Sequence, residues 1–169
     1  MIILETTRLY LKTIEKEDSQ ILYDTIFSNE ETMQYLFSQK AFTLEETKKF
    51  IYKNFCKNNA NVGLAPLFEK KSGNLIGIAG VSKNETLGKN HYELSFIIAE
   101  RYRKNGYAKE VAQAQLIFTK KVLRQKMVYA LIDPQNELSK SILTNLGMHL
   151  EKNITLKEKG DKEVYAKKL

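Results

Sequence analysis

The stretch RYRKNGYAKE, Arg101 to Glu110, separates two segments of different character. The apolar run YELSFIIA, Tyr92 to Ala99, precedes it and has the length and composition of a strand. The run VAQAQLIFTKKV, Val111 to Val122, follows it, with apolar residues at helical spacing. The stretch is therefore predicted to be a basic, glycine-bearing turn between a strand and a helix.

This turn has the features of an anion-binding site. A helix that begins where a strand ends leaves its first backbone N–H groups without intrahelical partners, and these donors attract anions together with the helix dipole. Arg103 and Lys104 precede Gly106, and Ala108 is small as well, so a pyrophosphate fits the predicted loop. The alternative is an ordinary turn with solvated basic side chains. The chain contains neither a Walker A loop nor a G-x-G-x-x-G motif.

The composition is that of one soluble globular domain, residues 1–169. Apolar residues make up 43% of the 169 residues and charged residues 28%. No apolar run approaches the ~18 residues that a membrane span requires, and the first residues do not resemble a signal peptide. We therefore expect a cytoplasmic protein without a membrane partner.

The composition does not indicate a metal site or a nucleic-acid partner. Cys56 is the only cysteine, and His91 and His149 are the only histidines, so neither a disulfide nor a metal site is predicted. Cys56 itself lies in a helical pattern and is interpreted as a half-buried, inert thiol. The formal net charge of +7 suits nucleic acid, an acidic small ligand or solubility alone, but no nucleic-acid-binding motif is present.

The remaining patterns predict helices on a mixed sheet. One helix is predicted to begin at Asp18 and a second to span Glu30 to Phe37. A capping box of Thr43 and Glu46 predicts the start of a third helix. Two later helices are predicted over Gly106 to Arg124 and Asn136 to Leu146. Strands are predicted in RLYLKTI (Arg8 to Ile14), VGLAPLFEKK, LIGIAGVSK, Tyr92 to Ala99, Met127 to Asp133, Met148 to Leu156 and Glu163 to Leu169.

The order of these elements defines the fold class. The segment Tyr92 to Asp133 has the size and order of a βαβ unit, so its two strands are expected to be parallel. The other strands can pair with antiparallel neighbours. The prediction is an α/β (α+β) fold with a mixed, mostly antiparallel sheet of about seven strands flanked by helices.

Several motifs, in the same order along the chain, carry a resemblance to a known family. Arg103 to Ala108 resembles the R-x-x-G-x-[GA] loop of the GCN5-related N-acetyltransferases, which binds the pyrophosphate of coenzyme A. ETTRLYLKTIEKED near the start, LIGIAGVSK, and DPQNELSKSILTNLGM (Asp133 to Met148) are similar to further segments of that family. The closest resemblance is to the branch that acetylates ribosomal-protein N-termini, the RimJ/RimL branch.

The resemblance implies the family's fold and the transfer of an acetyl group from acetyl-CoA to a primary amine, by direct attack in a ternary complex. By motif position, the backbone N–H of Phe96 meets the thioester carbonyl, Ile98 and Asn136 contact the pantetheine arm, and Ser139 contacts the thiol. The pyrophosphate loop comprises Arg103, Lys104, Asn105, Gly106, Tyr107 and Ala108. Read from the residues alone, Asn136 is also a helix N-cap.

Two of the positions that depart from the family pattern bear directly on the chemistry. Lys104 stands where a glycine is common, so one backbone approach to the phosphates is expected to be looser. Leu143 stands where many relatives carry a tyrosine that protonates the departing thiolate. This chain cannot use that group, and Ser139 is the nearest motif-matched hydroxyl.

Three groups are candidates for removing the proton of the attacking amine. Glu93 is the first, since it lies in the strand that lines the acetyl group, and burial would raise the pKa of its carboxyl toward a useful range. His91 has a suitable intrinsic pKa but stands at the start of the strand. A water relay is the third candidate, and a salt-bridged structural glutamate is the alternative role for Glu93.

The sequence leaves the acceptor and the oligomeric state open. The resemblance favours a protein N-terminus, and Glu30, Glu31, Glu45 and Glu46 suit a polyamine or an aminoglycoside instead, although helix starts are ordinarily acidic. A non-catalytic acetyl-CoA sensor is the main alternative to an enzyme. A hydrolase is excluded because the chain has no G-x-S-x-G elbow. The protein is either a monomer or a homodimer.

Overall fold

The chain is built around one sheet of eight strands in the order β1-β2-β3-β4-β5-β6-β8-β7. A computed structural model describes residues 1–36, 39–58, 60–88, 90–157 and 159–169. The strands are β1 (Ile2–Glu5), β2 (Leu9–Lys12), β3 (Gly63–Glu69), β4 (Leu75–Lys83), β5 (Tyr92–Ile98), β6 (Met127–Ile132), β7 (His149–Leu156) and β8 (Gly160–Lys168).

Five α-helices connect these strands. They are α1 (Asp18–Leu22), α2 (Glu30–Met33), α3 (Leu44–Asn54), α4 (Tyr107–Lys121) and α5 (Glu137–Asn145). A π-helical segment, Tyr23–Phe27, extends α1, and short 3-10 helices cover Glu85–Leu87 and Glu100–Tyr102. The predicted second helix ends earlier than expected, at Met33, and Phe37 lies outside the described residues. In the described part of the chain, no helix combines the length and apolar character needed to cross a membrane.

The predicted sheet type is confirmed. β5 and β6 are parallel, with Glu93 opposite Tyr129, and every other neighbouring pair of described strands is antiparallel. The sequence prediction lacked β1, which makes the eighth strand. This strand has only four residues, and its pairing with β2 is irregular between Ile2 and Leu4. An apolar patch this short shows no period that could separate a strand from a loose terminus.

The helices cover the two faces of the sheet in separate groups. Leu22, Ile26 and Met33 pack with Ile97 of β5, which defines the α1–α3 face. Val111 of α4 packs with Ile98 of β5, which defines the α4–α5 face. Because strand side chains alternate, Glu93 and Ser95 share the α1–α3 face with Ile97, whereas Leu94 and Phe96 share the α4–α5 face with Ile98.

The capping box predicted for α3 is present. The Thr43 hydroxyl accepts a hydrogen bond from the Glu46 backbone N–H at 3.2 Å, and the Thr43 N–H donates to Glu46 Oε2 at 2.7 Å. Two backbone donors at the start of the helix are thus satisfied reciprocally. This fixes the first turn of the longest helix on the α1–α3 face.

Thr43→Ala is expected to lower the free energy of unfolding by about 1 kcal/mol, because the N-cap acceptor is lost. Urea unfolding followed by circular dichroism measures this change. Thr43→Ser keeps the hydroxyl and serves as the matched control, with stability close to that of the wild type. Equal stability of the alanine and serine variants would show that the cap contributes nothing.

Candidate functional site

The first turn of α4 presents unpaired backbone donors. The helix begins after Gly106, which has φ 78°, and no described side chain caps it. Its first intrahelical bond runs from the Glu110 N–H to the Gly106 carbonyl at 3.1 Å. The N–H groups of residues 106–109 precede that bond and remain available to an anion.

Lys104 adopts a backbone conformation that glycine would adopt more easily. Its φ is 64°, in the left-handed region, which costs an L-residue about 1–2 kcal/mol. This explains in physical terms why a glycine suits this position. The Lys104 side chain is exposed, so its charge is free to approach a ligand at the loop.

Asn105 holds the loop in shape through its side chain. Its Nδ2 donates to the carbonyls of Tyr102 and Arg103, both at 3.1 Å. Its own carbonyl accepts a hydrogen bond from Arg8 Nη1 at 3.0 Å. The Asn105 amide is therefore committed to the loop, and only its backbone N–H remains as a group for a ligand.

Arg8 was not predicted as part of this site, yet it ties the loop and α4 to the start of the sheet. Its Nη2 lies 2.6 Å from Glu110 Oε2, and its guanidinium lies over the Tyr107 ring at 4.6 Å from the centroid. Thr6 Oγ1 donates to Glu110 Oε1 at 2.6 Å, and the Tyr107 hydroxyl donates to Glu69. Arg8 lies at the start of a predicted strand, and nothing in the sequence pairs it with Glu110.

This contact also changes the electrostatics of the anion site. Burial alone would raise the pKa of Glu110, but hydrogen bonds from Thr6 and Arg8 and the charge of Arg8 outweigh it, so the pKa is lowered. Glu110 is the one acidic residue in the first turn of α4. Its negative charge is offset by Arg8 and does not oppose an anion nearby.

Arg103 is directed toward the end of β5. Its Nε donates to the Ile98 carbonyl at 3.1 Å, and its Nη1 lies 4.0 Å from Glu31 Oε1 in α2. The side chain thereby links the loop to β5 and to the helices on the other face. In this conformation Arg103 shapes the loop in addition to supplying positive charge.

The backbone of β5 has unused hydrogen-bonding groups toward β6. β5 is paired with β4 along its whole length, whereas its register with β6 consists of the single pair Glu93 and Tyr129. The Ala99 N–H donates to Ile76 in β4 at 2.9 Å. Since alternate residues point to opposite edges of a strand, the N–H groups of Phe96 and Ile98 point into the gap toward β6. The family resemblance implies these two backbone groups as contacts of the thioester and the pantetheine arm.

The start of α5 lies beyond β6 on the other side of this gap. Asn136 Oδ1 accepts a hydrogen bond from the Ser139 N–H at 3.2 Å, so the N-cap interpretation is confirmed. The cap leaves Asn136 Nδ2 and the Ser139 hydroxyl without a protein partner among the described residues. Leu143 is fully buried in the core with Leu94 and Leu116, and it presents no group to a ligand.

Glu93 lies on the α1–α3 face, where the two strands still pair. Asn84 Nδ2 donates to its Oε2 at 2.7 Å. Burial raises the pKa of the Glu93 carboxyl, against the lowering effects of Asn84, the charge of Lys159 and the backbone of Leu131. His91 stands two residues earlier on the same face, with its ring 4.9 Å from that of Tyr129. Glu93 is half-buried, and the side chain that hydrogen-bonds its carboxylate is a neutral amide.

The only thiol of the chain is buried more fully than predicted. Cys56 is 2% exposed, and burial raises the pKa of its thiol to about 11. The thiolate form, which is the nucleophile, is thus scarce near neutral pH. The described residues also hold no group of three or more His, Cys, Asp or Glu side chains placed to bind a metal.

The predicted residues are therefore arranged around the gap between β5 and β6. The 103–108 loop and the N-cap Asn136 flank the ends of the two strands, with the Phe96 backbone between them. Glu93 lies at the closed end of the gap, where β5 still pairs with β6, and its side chain is on the α1–α3 face of the sheet. A ligand lying in the gap would meet anion donors at one end and a carboxylate at the other.

Comparison with known proteins gives consistent matches over most of the chain. The acetyltransferase (GNAT) domain family matches residues 8–149. The uncharacterized N-acetyltransferase YnaD of Bacillus subtilis is 30% identical over 146 residues, which cover 86% of this chain and 82% of that protein. The acetyltransferase (GNAT family) structure from Bacillus anthracis has 25% identity and a TM-score of 0.82, covering 99% of this chain and 98% of that chain.

Two structures of lower identity share the fold and contain coenzyme A. RimL, a ribosomal L7/L12 alpha-N-protein acetyltransferase in complex with coenzyme A, has 15% identity and a TM-score of 0.78, covering 100% of this chain and 98% of that chain. Spermidine N-acetyltransferase from Vibrio cholerae, in complex with CoA and spermine, has 16% identity and a TM-score of 0.77, with 96% of each chain covered.

Glu93→Gln is expected to raise the melting temperature near neutral pH. Burial raises the folded-state pKa of Glu93, so its contribution to stability is present below the unfolded-state pKa and is lost as pH rises through the folded-state pKa. Glutamine keeps the acceptor for Asn84 and carries no charge. Calorimetric melting from pH 4 to pH 8 should show the gain growing with pH.

Glu151→Gln is the matched control for this measurement. Glu151 is exposed on β7, so its charge is solvated in both states and no gain is expected. A Glu93→Gln variant that is less stable than wild type at every pH would show that the buried carboxylate stabilises the fold.

Proposed function

The chain belongs to the GNAT acetyltransferase family and is an acetyl-CoA-dependent acyltransferase, and we propose that it acetylates a primary amine within one ternary complex. The observation that carries the proposal is the uncapped, basic start of α4 beside the unpaired edge of β5. Acetyl-CoA supplies the acyl group as a thioester. We propose that residues 1–169 form a single catalytic domain.

The 103–108 loop would hold the pyrophosphate of the cosubstrate. Backbone N–H groups at Gly106, Tyr107 and Ala108 would donate to its oxygens, and the exposed Lys104 would add charge. The side chains of Asn105 and Arg103 act differently, since they hold the loop against itself and against β5. The fit rests on the positive φ of Lys104 and Gly106, which turns the backbone of the loop toward the ligand.

The gap between β5 and β6 would hold the pantetheine arm. The backbone N–H of Ile98 and the Nδ2 of Asn136 are available to the carbonyl oxygens of its amides, since the Ile98 carbonyl is bonded by Arg103. The Phe96 N–H would donate to the thioester carbonyl, where negative charge develops during the reaction. The Ser139 hydroxyl would donate to the departing thiolate, because Leu143 offers no hydroxyl.

Glu93 would take the proton of the attacking amine, directly or through water. It lies on the α1–α3 face, opposite the side where α4 and α5 pack, so the amine would approach from that face. The raised pKa of the buried carboxyl makes it a better proton acceptor. Direct attack is favoured over an acyl-enzyme because Cys56 is buried and its pKa is about 11.

The acetyl-CoA sensor is the second candidate function. A sensor needs the phosphate loop and the gap but has no need of an enclosed carboxylate or of a free hydroxyl beside the thiol. Glu93 and Ser139 supply both, which favours the enzyme. Release of coenzyme A thiol on addition of an amine separates the two functions.

Gly106→Val is expected to weaken acetyl-CoA binding by at least about ten-fold, because a β-branched residue resists φ 78° and obstructs the loop backbone. Arg103→Ala should weaken binding by less. Titration calorimetry measures both affinities, and each should fall with added salt.

Lys121→Ala is the control for charge, since it removes a cation at the far end of α4. A clash within the protein would not explain weaker binding by Gly106→Val, because a Cβ at this position would meet only Arg8 Nη2 at 3.5 Å. If both loop variants bind acetyl-CoA as wild type does, the cosubstrate does not use this loop.

Glu93→Gln is expected to lower kcat/KM near neutral pH by about 100-fold or more, the usual scale for a positioned base. The variant should keep its affinity for acetyl-CoA. In the wild type, the acid limb of the pH profile should lie above the ordinary carboxyl value of 4.5, because burial raises the pKa of Glu93. His91→Gln is the matched control: if it carries the loss instead, the base is His91, and if neither variant loses activity, a water relay or a neutral amine is sufficient.

A further inference from the structure

Lys162 is a buried cation with unused hydrogen-bond donors. The residue is 7% exposed, and its Nζ has no hydrogen-bond partner among the described residues. Its ionic neighbour is Asp133, at 3.5 Å between Nζ and Oδ2. An ammonium group taken out of water without hydrogen bonds is costly, so three unused N–H donors in such a place call for an acceptor group.

Asp133 is the ion-pair partner of Lys162 but makes no hydrogen bond to it, and each of its oxygens accepts one from another group. Oδ2 accepts a hydrogen bond from Gln39 Nε2 and Oδ1 accepts one from the Gln135 N–H, both at 2.9 Å. Asp133 therefore balances the charge of Lys162 while its hydrogen bonds go elsewhere. Gln39 comes from the segment between α2 and α3, so the pair also joins the helices to the end of β6.

Lys162 lies on the face of the sheet from which the amine is proposed to approach. Val164 is paired with Leu131, and Tyr129 is paired with Glu93, so these four side chains share one face. Lys162 is two residues before Val164 and has the same orientation. Lys159, whose charge acts on Glu93, adds a second cation at the turn before β8.

We propose that Lys162 binds a carboxylate of the acceptor, so that the acceptor is an amine that carries an acidic group and not a polycation. This inference rests on the proposed acetyltransferase function. The amine would lie at Glu93 and the carboxylate at Lys162. A polyamine in the same place would bring its second cation against Lys162 and Lys159.

The spacing of the strands bounds the separation of the two groups. Tyr129, opposite Glu93, and Asp133, beside Lys162, are separated by four residue steps, or about 13 Å along β6. An extended peptide covers this distance in about four residues. Because the side chains of Glu93 and Lys162 are long enough to shorten this distance, the carboxylate is expected within the first four residues of a peptide N-terminus, or at the free C-terminus of a short peptide.

Thiol release with matched acceptors tests the proposal. The acceptors are Ala-Asp-Ala-Ala-amide, its isostere Ala-Asn-Ala-Ala-amide, the free dipeptide Ala-Ala and spermidine. The wild type should favour the aspartyl peptide over the asparaginyl peptide by about ten-fold or more in kcat/KM. A stronger preference for the free dipeptide would identify an α-carboxylate as the group that Lys162 binds.

Lys162→Met has a similar length without charge and should bring the aspartyl-to-asparaginyl ratio to about one. Lys162→Arg should retain the preference. Lys162→Met leaves Asp133 without its cation and can destabilise the fold. The double variant Lys162→Met/Asp133→Asn removes both charges, and its melting temperature and acetyl-CoA affinity show whether it is folded. The ratio should also be about one in the double variant.

Two outcomes would overturn the proposal. One is a wild-type enzyme with equal rates on the two peptides, and the other is spermidine as the best acceptor with a faster reaction in Lys162→Met. Absence of thiol release with every acceptor, while acetyl-CoA still binds, would contradict the enzyme function itself. In that case the binding of the aspartyl peptide is measured by calorimetry. Binding to the wild type that is lost in Lys162→Met would support the carboxylate site independently of catalysis.

Discussion

The divergence of β5 from β6 beyond Glu93 and Tyr129 is the constraint on which the site depends. Backbone donors and acceptors in a sheet need partners, and here one strand edge inside the sheet lacks them. The two parallel strands also end side by side, and each leads into the start of a helix, α4 or α5. The unpaired backbone of β5 and the starts of two helices therefore converge, and a polar, anionic ligand there would meet the free donors of β5 and α4.

The same arrangement explains why several residues here break ordinary rules of stability. Lys104 has a left-handed backbone, Glu93 keeps a carboxyl in a buried place, and Lys162 holds an ammonium without hydrogen bonds. Each of these features costs free energy in the folded protein, and all lie around the gap or on the face where the amine is proposed to enter. Such departures are typical of functional sites, where a bound ligand supplies interactions that the protein alone does not make.

Much of the fold followed from local patterns, and what was missed depended on contacts between distant segments. The capping box at Thr43 and the turn before α4 each depend on a few adjacent residues, and the parallel pair depends on one continuous segment of strand, helix and strand. By contrast, Arg8 pairs with Glu110 across about a hundred residues, and Lys162 acquires its role only because β8 lies between β6 and β7. β1 was missed because a four-residue strand with three adjacent apolar residues has no period. The roles of Glu93, Ser139 and the loop backbone remain predictions.

The deep burial of Cys56 has a practical consequence for the study of this protein. A disulfide reagent that releases a coloured product on reaction with free thiols needs an accessible thiolate. The single cysteine of the chain is 2% exposed, and burial raises the pKa of its thiol to about 11. The folded protein should therefore be nearly silent toward such a reagent. A continuous colorimetric record can then be collected in the presence of the enzyme with little background. Slow colour development without acceptor would instead report transient opening of the segment between α3 and β3, where Cys56 lies.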